Sequence, residues 1–215
     1  MEIEQDGMNP FIYGTGNPAK LTSMRDMLQG LPVTIIGLRD LTISFPDVDE
    51  TGNDPLENAR IKAEAYHAMC GLAVFSCDSG LYIDGLEDAR QPGVKVRTVD
   101  GRRLDDGQML AHYGALAREL GGRAIARYRN AICLIDERGR RYEAYDDSIW
   151  SELFGLCTEP HRDSVEGFPL DALSIELTTG KYYYDLKGFD WLANQSAEAA
   201  GFRAFFQRVL QGQGE

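Results

Sequence analysis

The chain has 215 residues, with 22 lysines and arginines against 34 aspartates and glutamates, so its formal net charge at pH 7 is −12. This acidic balance argues against a protein that coats nucleic acid or binds an anionic membrane, because a basic surface holds both of these partners. It does not exclude a nucleotide enzyme, since Mg²⁺ can bring phosphate groups into an acidic pocket. We therefore expect neither a nucleic-acid polymer nor a membrane as a partner.

The start of the chain and its cysteines indicate the compartment. Residues 1–6 are acidic, which is untypical of a secretory or organellar presequence, and no apolar run is long enough to predict a transmembrane helix. The four cysteines lie far apart, without the spacing of a zinc site or a disulfide framework. We expect a cytoplasmic protein with reduced thiols.

The first half of the chain predicts a β-α-β-α-β order. The expected elements are a strand at 11–13, a helix from 18 to about 29, a strand at 33–36, a helix at 55–70 and a strand at 72–76. Asn17 and Asp54 are predicted N-caps, each followed by proline at the first helical position. The third strand is expected to end in a turn at 77–80, before residues 81–83 resume an extended path.

The second half predicts fewer and less regular elements. The expected elements are a helix capped by Asp105 or Asp106, a hairpin of 123–136 with 141–149, a strand within 166–177 and a last amphipathic helix capped by Ser196. No polar linker separates the halves. The pattern indicates one α+β unit, or two lobes joined without a linker.

The turn at 14–20 is the first candidate site. A strand that ends in glycines and opens a helix presents free N–H groups and a positive dipole end, which suit a phosphate group, and Lys20 adds a charge. The same residues also fit the dinucleotide pattern GxGxxG/A, with Asp40 as the ribose acid. A strand-turn-helix without any ligand is a third interpretation.

Acidic side chains form the second candidate site. Glu50 lies in a loop and Asp78 just beyond a predicted buried strand, so the two carboxylates could hold Mg²⁺ beside bound phosphates. Alternatively, Glu50 is a solvated acid and Asp78 caps a turn. Asn58 and Lys62 share a helix face because they are four residues apart. Lys62 then faces a phosphate group or lies on the helix surface.

Taken together, these segments resemble the inosine triphosphate pyrophosphatase family. The matching motifs are TGNPAK at 15–20, ETG at 50–52, ENA at 57–59 with KA at 62–63, DSGL at 78–81 and PGV at 92–94. They occur in the family's order and spacing over residues 11–94. Their joint occurrence argues against the dinucleotide interpretation.

The resemblance implies both a fold and a reaction. The fold is α/β, with a long, twisted, mixed β-sheet flanked by helices, in which residues 1–215 form a single domain of two lobes around a central nucleotide cleft. The reaction is Mg²⁺-dependent hydrolysis of a nucleoside triphosphate to the monophosphate and pyrophosphate. Members of the family are usually homodimers, so a homodimer is expected here.

The resemblance also assigns roles by position. Asp78, Lys20 and Lys62 are the expected catalytic residues, and Glu50 and Asp78 the expected metal ligands, with Asp78 helping to deprotonate the attacking water. The expected substrate-binding residues are Thr15, Gly16, Asn17, Lys20, Asn58, Ser79, Gly80, Phe168 and Asp171.

Several positions depart from the family pattern. Cys77 stands where the family has the first of two acids, and residues 95–99 do not match its YSARY segment. Residues 167–173 keep Phe168 and Asp171 of the GFGYDPxF motif but lose its aromatic residue. The late lysine and the SHR motif that recognise the purine are absent from 190–198.

These departures lead to three hypotheses. The first is a nucleoside triphosphate diphosphatase with altered base recognition, acting on a ribo- or deoxyribonucleotide with a non-canonical or modified base, with Trp191 or the tyrosines at 182–184 as stacking candidates. The second is a catalytically weak or inactive descendant that binds a nucleotide, which Cys77 favours. The third is a phosphohydrolase that acts on nucleoside monophosphates.

Overall fold

The computed structural model describes residues 9–165, 168–186 and 189–212, the last range without the side chains of 189–196. The chain divides into two compact units. Unit 1 holds the described parts of Met1–Asp78, Asn130–Ile149 and Ala199–Glu215, and unit 2 those of Ser79–Arg129 and Trp150–Glu198. Within the described residues, no helix is long and apolar enough to cross a membrane.

Thirteen helices and strands make up the described fold. The helices are α1 (Pro18–Met27), α2 (Pro55–Cys70), α3 (Asp106–Glu119) and α4 (Phe189–Leu210), and the strands are β1 (Asn9–Tyr13), β2 (Val33–Gly37), β3 (Val74–Ile83), β4 (Thr98–Val99), β5 (Arg102–Arg103), β6 (Arg123–Ile135), β7 (Arg141–Ala144), β8 (Phe154–Cys157) and β9 (Ser174–Glu176).

Seven of the strands form one mixed sheet in the order β2-β1-β3-β6-β8-β9, with β7 paired to β6. Strand β1 is parallel to β2 and β3, whereas β6 pairs antiparallel with β7 and β8, and β8 with β9. The predicted α/β class, a mixed sheet flanked by helices, is confirmed. Strands β4 and β5 form a separate small hairpin that the sequence did not predict.

The helix starts of unit 1 follow the predicted capping chemistry. The Asn17 side chain accepts a hydrogen bond from the N–H of Ala19 at 2.9 Å, and Asp54 accepts from the N–H of Glu57 at 2.9 Å. Each cap precedes a proline, whose missing N–H costs nothing at the first helical position. The predicted β-α-β-α-β order is confirmed.

The predicted turn at 77–80 is wrong, because β3 runs without a break from Val74 to Ile83. Gly80 suggested a turn, yet its role is close packing: a Cβ there would lie 3.1 Å from the backbone carbon of Gly93. The N–H of Leu81 donates to the Gly93 carbonyl at 2.9 Å, which keeps the strand extended. Asp78 is therefore a residue within a strand and not a turn residue.

Unit 2 is built around one apolar cluster. Leu81 and Ile83 of β3, Tyr113 of α3 and Phe154 of β8 are buried in it. Asp105, one of the two predicted caps, is the N-cap of α3, whereas strand β8 was not predicted. The strand expected within 166–177 is β9, with residues 166 and 167 outside the described chain.

Helix α4 starts seven residues before the predicted cap, so the prediction of Ser196 as its N-cap is wrong. Nothing in the sequence from 189 to 195 interrupts a helix, since neither proline nor glycine occurs there. The predicted apolar face is confirmed: Phe202, Phe205 and Phe206 are buried, and the Phe206 ring packs edge-on against Phe75 at 5.1 Å.

Gly201→Ala should destabilise unit 1, because a Cβ at this position of α4 would overlap the carbonyl oxygen of Ser148. Overpacking of this kind costs about 1–3 kcal/mol of unfolding free energy. Urea unfolding of the variant checks the prediction. The control is Gly107→Ala, an exposed site in α3 where the new methyl group has room, and it should be neutral or stabilising.

Candidate active site

The turn between β1 and α1 is shaped by its own side chains. The N–H of Gly14 donates to the Phe75 carbonyl at 2.8 Å, which extends the pairing of β1 with β3. Thr15 Oγ1 accepts from the N–H of Asn17 at 3.2 Å, and Asn17 in turn caps α1. The hydroxyl and the amide oxygen thus fix the turn, and the N–H groups of Gly14, Thr15 and Asn17 all donate inside the protein.

The two glycines of the turn have different roles. A Cβ at Gly14 would overlap Ser76 Oγ and lie 2.6 Å from the Tyr66 ring, so only glycine fits there. Gly16 is exposed, and a Cβ there would meet nothing within 4 Å. The N–H of Gly16 donates to no acceptor in the described chain. The outer side of the turn is therefore open to a ligand.

Lys20, on the first turn of α1, is half-buried. No carboxylate of the described residues lies within ion-pair distance of its ammonium group, although the charge acts on the nearby Cys77 thiol. Since no described carboxylate neutralises it, the Lys20 ammonium group is available to bind an external anion.

Lys62 is buried and lies between the two predicted metal ligands. Its Nζ donates to the Cys77 carbonyl at 3.1 Å and lies 3.2 Å from Glu50 Oε2 and 3.5 Å from Asp78 Oδ1. The side chain is 10% exposed, so the surface-lysine interpretation is wrong. Both carboxylates converge on one cation, which holds like charges together that would otherwise repel each other.

Asn58 connects the same two segments one helical turn earlier. Its Oδ1 accepts from the N–H of Gly52 at 2.8 Å, and its Nδ2 donates to Asp78 Oδ2 at 2.9 Å. Gly52 has no room for a side chain, because a Cβ would lie 2.7 Å from Asn58 Oδ1. The spacing of Asn58 and Lys62 predicted that they share a face of α2, but these partners of Asn58, which are distant in sequence, were not predicted.

The donor set of Glu50 and Asp78 suits a hard cation. The two carboxylates come from a loop and a strand, and their side chains are 44% and 11% exposed. Among the described residues, no group of three or more metal-binding side chains occurs. Mg²⁺ is commonly held by one or two carboxylates together with substrate phosphates and water, so this pair fits Mg²⁺ better than a metal that needs a full protein cage.

Cys77 does not replace the charge of the acid that the family has at this position. Burial raises the pKa of its thiol to about 12, although a hydrogen bond with Tyr13 and the charges of Lys20 and Lys62 act in the opposite direction. The thiol is neutral at physiological pH. The site therefore has one carboxylate fewer than the family pattern.

Four of the predicted substrate-binding residues belong to unit 2. Ser79 and Gly80 follow Asp78 along β3, and Phe168 precedes the short helix that carries Asp171. Burial raises the pKa of the Asp171 carboxyl to about 6. The structure does not test the contacts of these residues with a nucleotide, which stay predictions.

The stacking candidates are partly accounted for by packing. The Tyr182 hydroxyl donates to the Glu159 carbonyl at 2.8 Å, the Tyr184 hydroxyl accepts from the N–H of Val165 at 3.0 Å, and Tyr183 packs against the core of unit 2. The Trp191 side chain lies outside the described residues. The tyrosines thus have structural roles in unit 2.

Unit 2 also holds an arginine–aromatic cluster that was not predicted from the sequence. The Arg129 guanidinium lies 4.0 Å from the centre of the Tyr82 ring and 5.0 Å from that of Trp150, and Arg127 lies 5.8 Å from Trp150. The alternation of Arg127 and Arg129 with Tyr128 along β6 was the available signal.

Sequence comparisons give the relatives of the chain. The sequence model of the Ham1 family matches residues 11–168. A dITP/XTP pyrophosphatase of Xanthomonas oryzae pv. oryzae is 41% identical over 165 residues, which cover 75% of this chain and 78% of that protein. A dITP/XTP pyrophosphatase of Geobacter sulfurreducens is 31% identical over 170 residues, covering 77% and 79%. The resemblance inferred from the motifs is confirmed.

Solved structures show the same fold. A HAM1 protein from Coxiella burnetii superimposes with a TM-score of 0.72 at 22% identity, covering 94% of this chain and 100% of that one. The Ham1 protein of Staphylococcus aureus gives a TM-score of 0.67 at 19% identity with the same coverage. At this identity the likeness concerns the fold alone.

Lys62→Met should lower the unfolding free energy at neutral pH by about 3 kcal/mol, because it leaves the buried Asp78 carboxylate without its cation. The double variant Lys62→Met/Asp78→Asn should recover most of this loss. Urea unfolding measures both, with Lys95→Met at an exposed position as the control. Equal stability of Lys62→Met and the wild type would show that the ion pair is not formed.

Asp171→Asn should change how stability depends on pH. Because burial raises the pKa of this carboxyl from 3.8 to about 6, the folded chain keeps a proton between pH 4 and 6 that the unfolded chain releases. The unfolding free energy therefore falls as the pH rises through this window, by about 2–3 kcal/mol in all.

The variant lacks this slope, so it should be more stable than the wild type at pH 8 and similar to it at pH 4. Thermal or urea unfolding at the two pH values checks the result, with the exposed Asp88→Asn as the matched control. An unchanged slope in Asp171→Asn would show that this carboxyl titrates normally.

Proposed function

This chain belongs to the Ham1 family, and we propose that it is a nucleoside triphosphate diphosphatase that hydrolyses its substrate to a nucleoside monophosphate and pyrophosphate. The family relatives of similar length carry the name of this reaction, and the chain covers more than three quarters of each of the two compared above. The observation within the molecule that supports the proposal best is the convergence of Glu50 and Asp78 on the buried Lys62.

Mg²⁺ is the proposed cofactor, with Glu50 and Asp78 as its protein ligands. When bound, the ion would neutralise phosphate charge and polarise a phosphoryl oxygen. The two carboxylates already share one cation, which shows that they tolerate a positive charge between them. A metal ion bound by these two carboxylates would replace the Lys62 ammonium group between them. Lys62 would then be free to bind a phosphate group.

The turn at 14–20 is the proposed holder of the outer phosphates. The open side of Gly16 admits an anion close to the backbone, and the Lys20 ammonium adds a charge without a competing carboxylate. Thr15 and Asn17 fix the turn through their side-chain oxygens, in addition to their proposed contacts with the phosphates. Positioning and charge neutralisation are the main requirements of phosphoryl transfer, since its transition state needs no covalent protein nucleophile.

In the proposed reaction, the oxygen of a water molecule bonds to the α-phosphorus. The bond from this phosphorus to the α,β-bridging oxygen breaks, and the bridging oxygen leaves with pyrophosphate. Asp78 is the proposed acceptor of the water proton, because it is the buried carboxylate of the pair and its two oxygens are held in a fixed orientation.

Altered base recognition is the second part of the proposal. The sequence lacks the late lysine and the SHR motif in 190–198. A site that loses hydrogen-bond donors to a 6-oxopurine loses much of its discrimination for it. We propose that the substrate is a nucleoside triphosphate with a non-canonical or modified base. The protein is further proposed to be a cytoplasmic homodimer, as the family resemblance implies.

One observation favours a second candidate function, a nucleotide-binding protein with weak or no turnover. The neutral Cys77 thiol removes one carboxylate from the family's metal and base pattern. Binding through the turn at 14–20 does not require that carboxylate, so affinity could persist while hydrolysis is lost.

A release assay with Mg²⁺ over nucleoside tri- and monophosphates, ordinary and modified, tests the proposal. We expect pyrophosphate from one or a few triphosphates. Asp78→Asn and Lys20→Ala should each reduce turnover by orders of magnitude, because they remove the proton acceptor and a phosphate-binding charge, while Lys95→Ala should not.

Circular dichroism of the variants serves as the folding control. Orthophosphate from monophosphates alone would favour a phosphohydrolase, and nucleotide binding without product would favour the non-hydrolytic descendant. Full activity of Asp78→Asn or Lys20→Ala would place the site elsewhere.

A further inference from the structure

Asn58 touches both segments that carry the predicted metal ligands. It is 2% exposed, its Oδ1 accepts from the N–H of Gly52, and its Nδ2 donates to Asp78 Oδ2. Gly52 lies two residues after Glu50 in the same loop. A single amide therefore joins the Glu50 loop to the strand residue Asp78.

The two oxygens of Asp78 have different partners. Asn58 holds Oδ2 at 2.9 Å, whereas the Lys62 ammonium lies 3.5 Å from Oδ1. The terminal torsion of an aspartate is broad by itself, so outside partners must fix the plane of the carboxylate. If Lys62 turns towards a phosphate group, Asn58 is the partner that keeps the carboxylate in place.

The contact with Gly52 is equally restrictive. The backbone approaches the amide so closely that a Cβ at Gly52 would lie 2.7 Å from Asn58 Oδ1 and 2.9 Å from the backbone nitrogen of Asn58. The side chain of Glu50 is 44% exposed, and its carboxylate contacts the Lys62 ammonium group at 3.2 Å. The hydrogen bond from the Gly52 N–H to Asn58 Oδ1 therefore limits how far Glu50 can move from Asp78.

We propose that Asn58 is a positioning residue, which acts through Asp78 and the Glu50 loop to set the spacing of the two carboxylates, and does not bind the nucleotide. The kinetic test of this inference rests on the proposed function, because it measures turnover of a nucleoside triphosphate. A substrate contact would need a free and accessible amide, whereas this amide is buried and both of its polar atoms are engaged inside the protein.

Two variants distinguish the acceptor role of the Asn58 amide oxygen from the donor role of its nitrogen. Asn58→Asp keeps an acceptor for the Gly52 N–H but loses the donor to Asp78, and Asn58→Ala loses both. The matched control is Asn53→Asp, which adds the same charge at an exposed position of the same loop, next to Gly52. Because loss of an orienting partner of a metal ligand typically costs about 10–100-fold, we expect kcat to fall by that factor in both variants with KM within about threefold.

Binding of Mn²⁺ to the nucleotide-free protein, followed by electron paramagnetic resonance, gives a readout that is independent of activity. We expect the Mn²⁺ dissociation constant to rise about 10–100-fold in Asn58→Ala and to stay unchanged in Asn53→Asp. If Asn58→Asp fails to fold because two carboxylates face each other, the exchange Asn58→Asp/Asp78→Asn restores one donor and one acceptor. That exchange should recover thermal stability without recovering turnover.

The outcomes are distinct for the two proposals. A wild type that releases pyrophosphate, combined with a raised KM and an unchanged kcat in Asn58→Ala, would overturn the positioning role and leave the function intact. A wild type that releases no pyrophosphate would contradict the function, while Mn²⁺ binding would still decide on Asn58. Equal Mn²⁺ affinity in the wild type and Asn58→Ala, or no Mn²⁺ binding by the wild type, would overturn the positioning role.

Discussion

The ammonium group of Lys62 is held inside unit 1 by the Cys77 carbonyl and by the carboxylates of Glu50 and Asp78. Two ionised carboxylates that approach one point repel each other, and a cation between them offsets this repulsion. Removing the Lys62 ammonium group from the free protein would leave the buried Asp78 carboxylate without a cation, which is costly. Either Lys62 or another cation therefore has to lie beside this carboxylate. The proposed metal chemistry follows from this constraint, because a divalent ion held by the two carboxylates would leave the Lys62 ammonium group free for a phosphate group.

Helix α2 supplies the order that this arrangement needs. Its start is fixed by Asp54, by a proline and by Glu57, whose carboxylate accepts from the N–H of Asn53 at 2.7 Å. The helix then presents Asn58 and Lys62 on one face, four residues apart, towards β3. A shift of the helix start by one residue would rotate both side chains by about 100° away from the carboxylates. The capping chemistry of a short loop thus determines where the charges of the site meet.

The sequence predicted what short-range chemistry determines and missed what distant contacts determine. The starts of α1 and α2 were predictable because asparagine or aspartate followed by proline is a local signal. Gly80 was misjudged as a turn residue, since the reason for it is the backbone of Gly93, thirteen residues later. The candidate residues of the first half were found by their motifs, but the burial of Lys62 and the two partners of Asn58, six and twenty residues away, follow only from the packing of α2 against β3.

The most direct test of the central claim is a crystal structure of the protein with Mg²⁺ and pyrophosphate, because this product does not depend on which base is recognised. The account predicts the metal between Glu50 and Asp78, pyrophosphate at the turn of residues 14–20, and the Lys62 ammonium displaced from the carboxylates towards a phosphate oxygen. A structure in which Lys62 still bridges both carboxylates while metal and pyrophosphate bind elsewhere would contradict it.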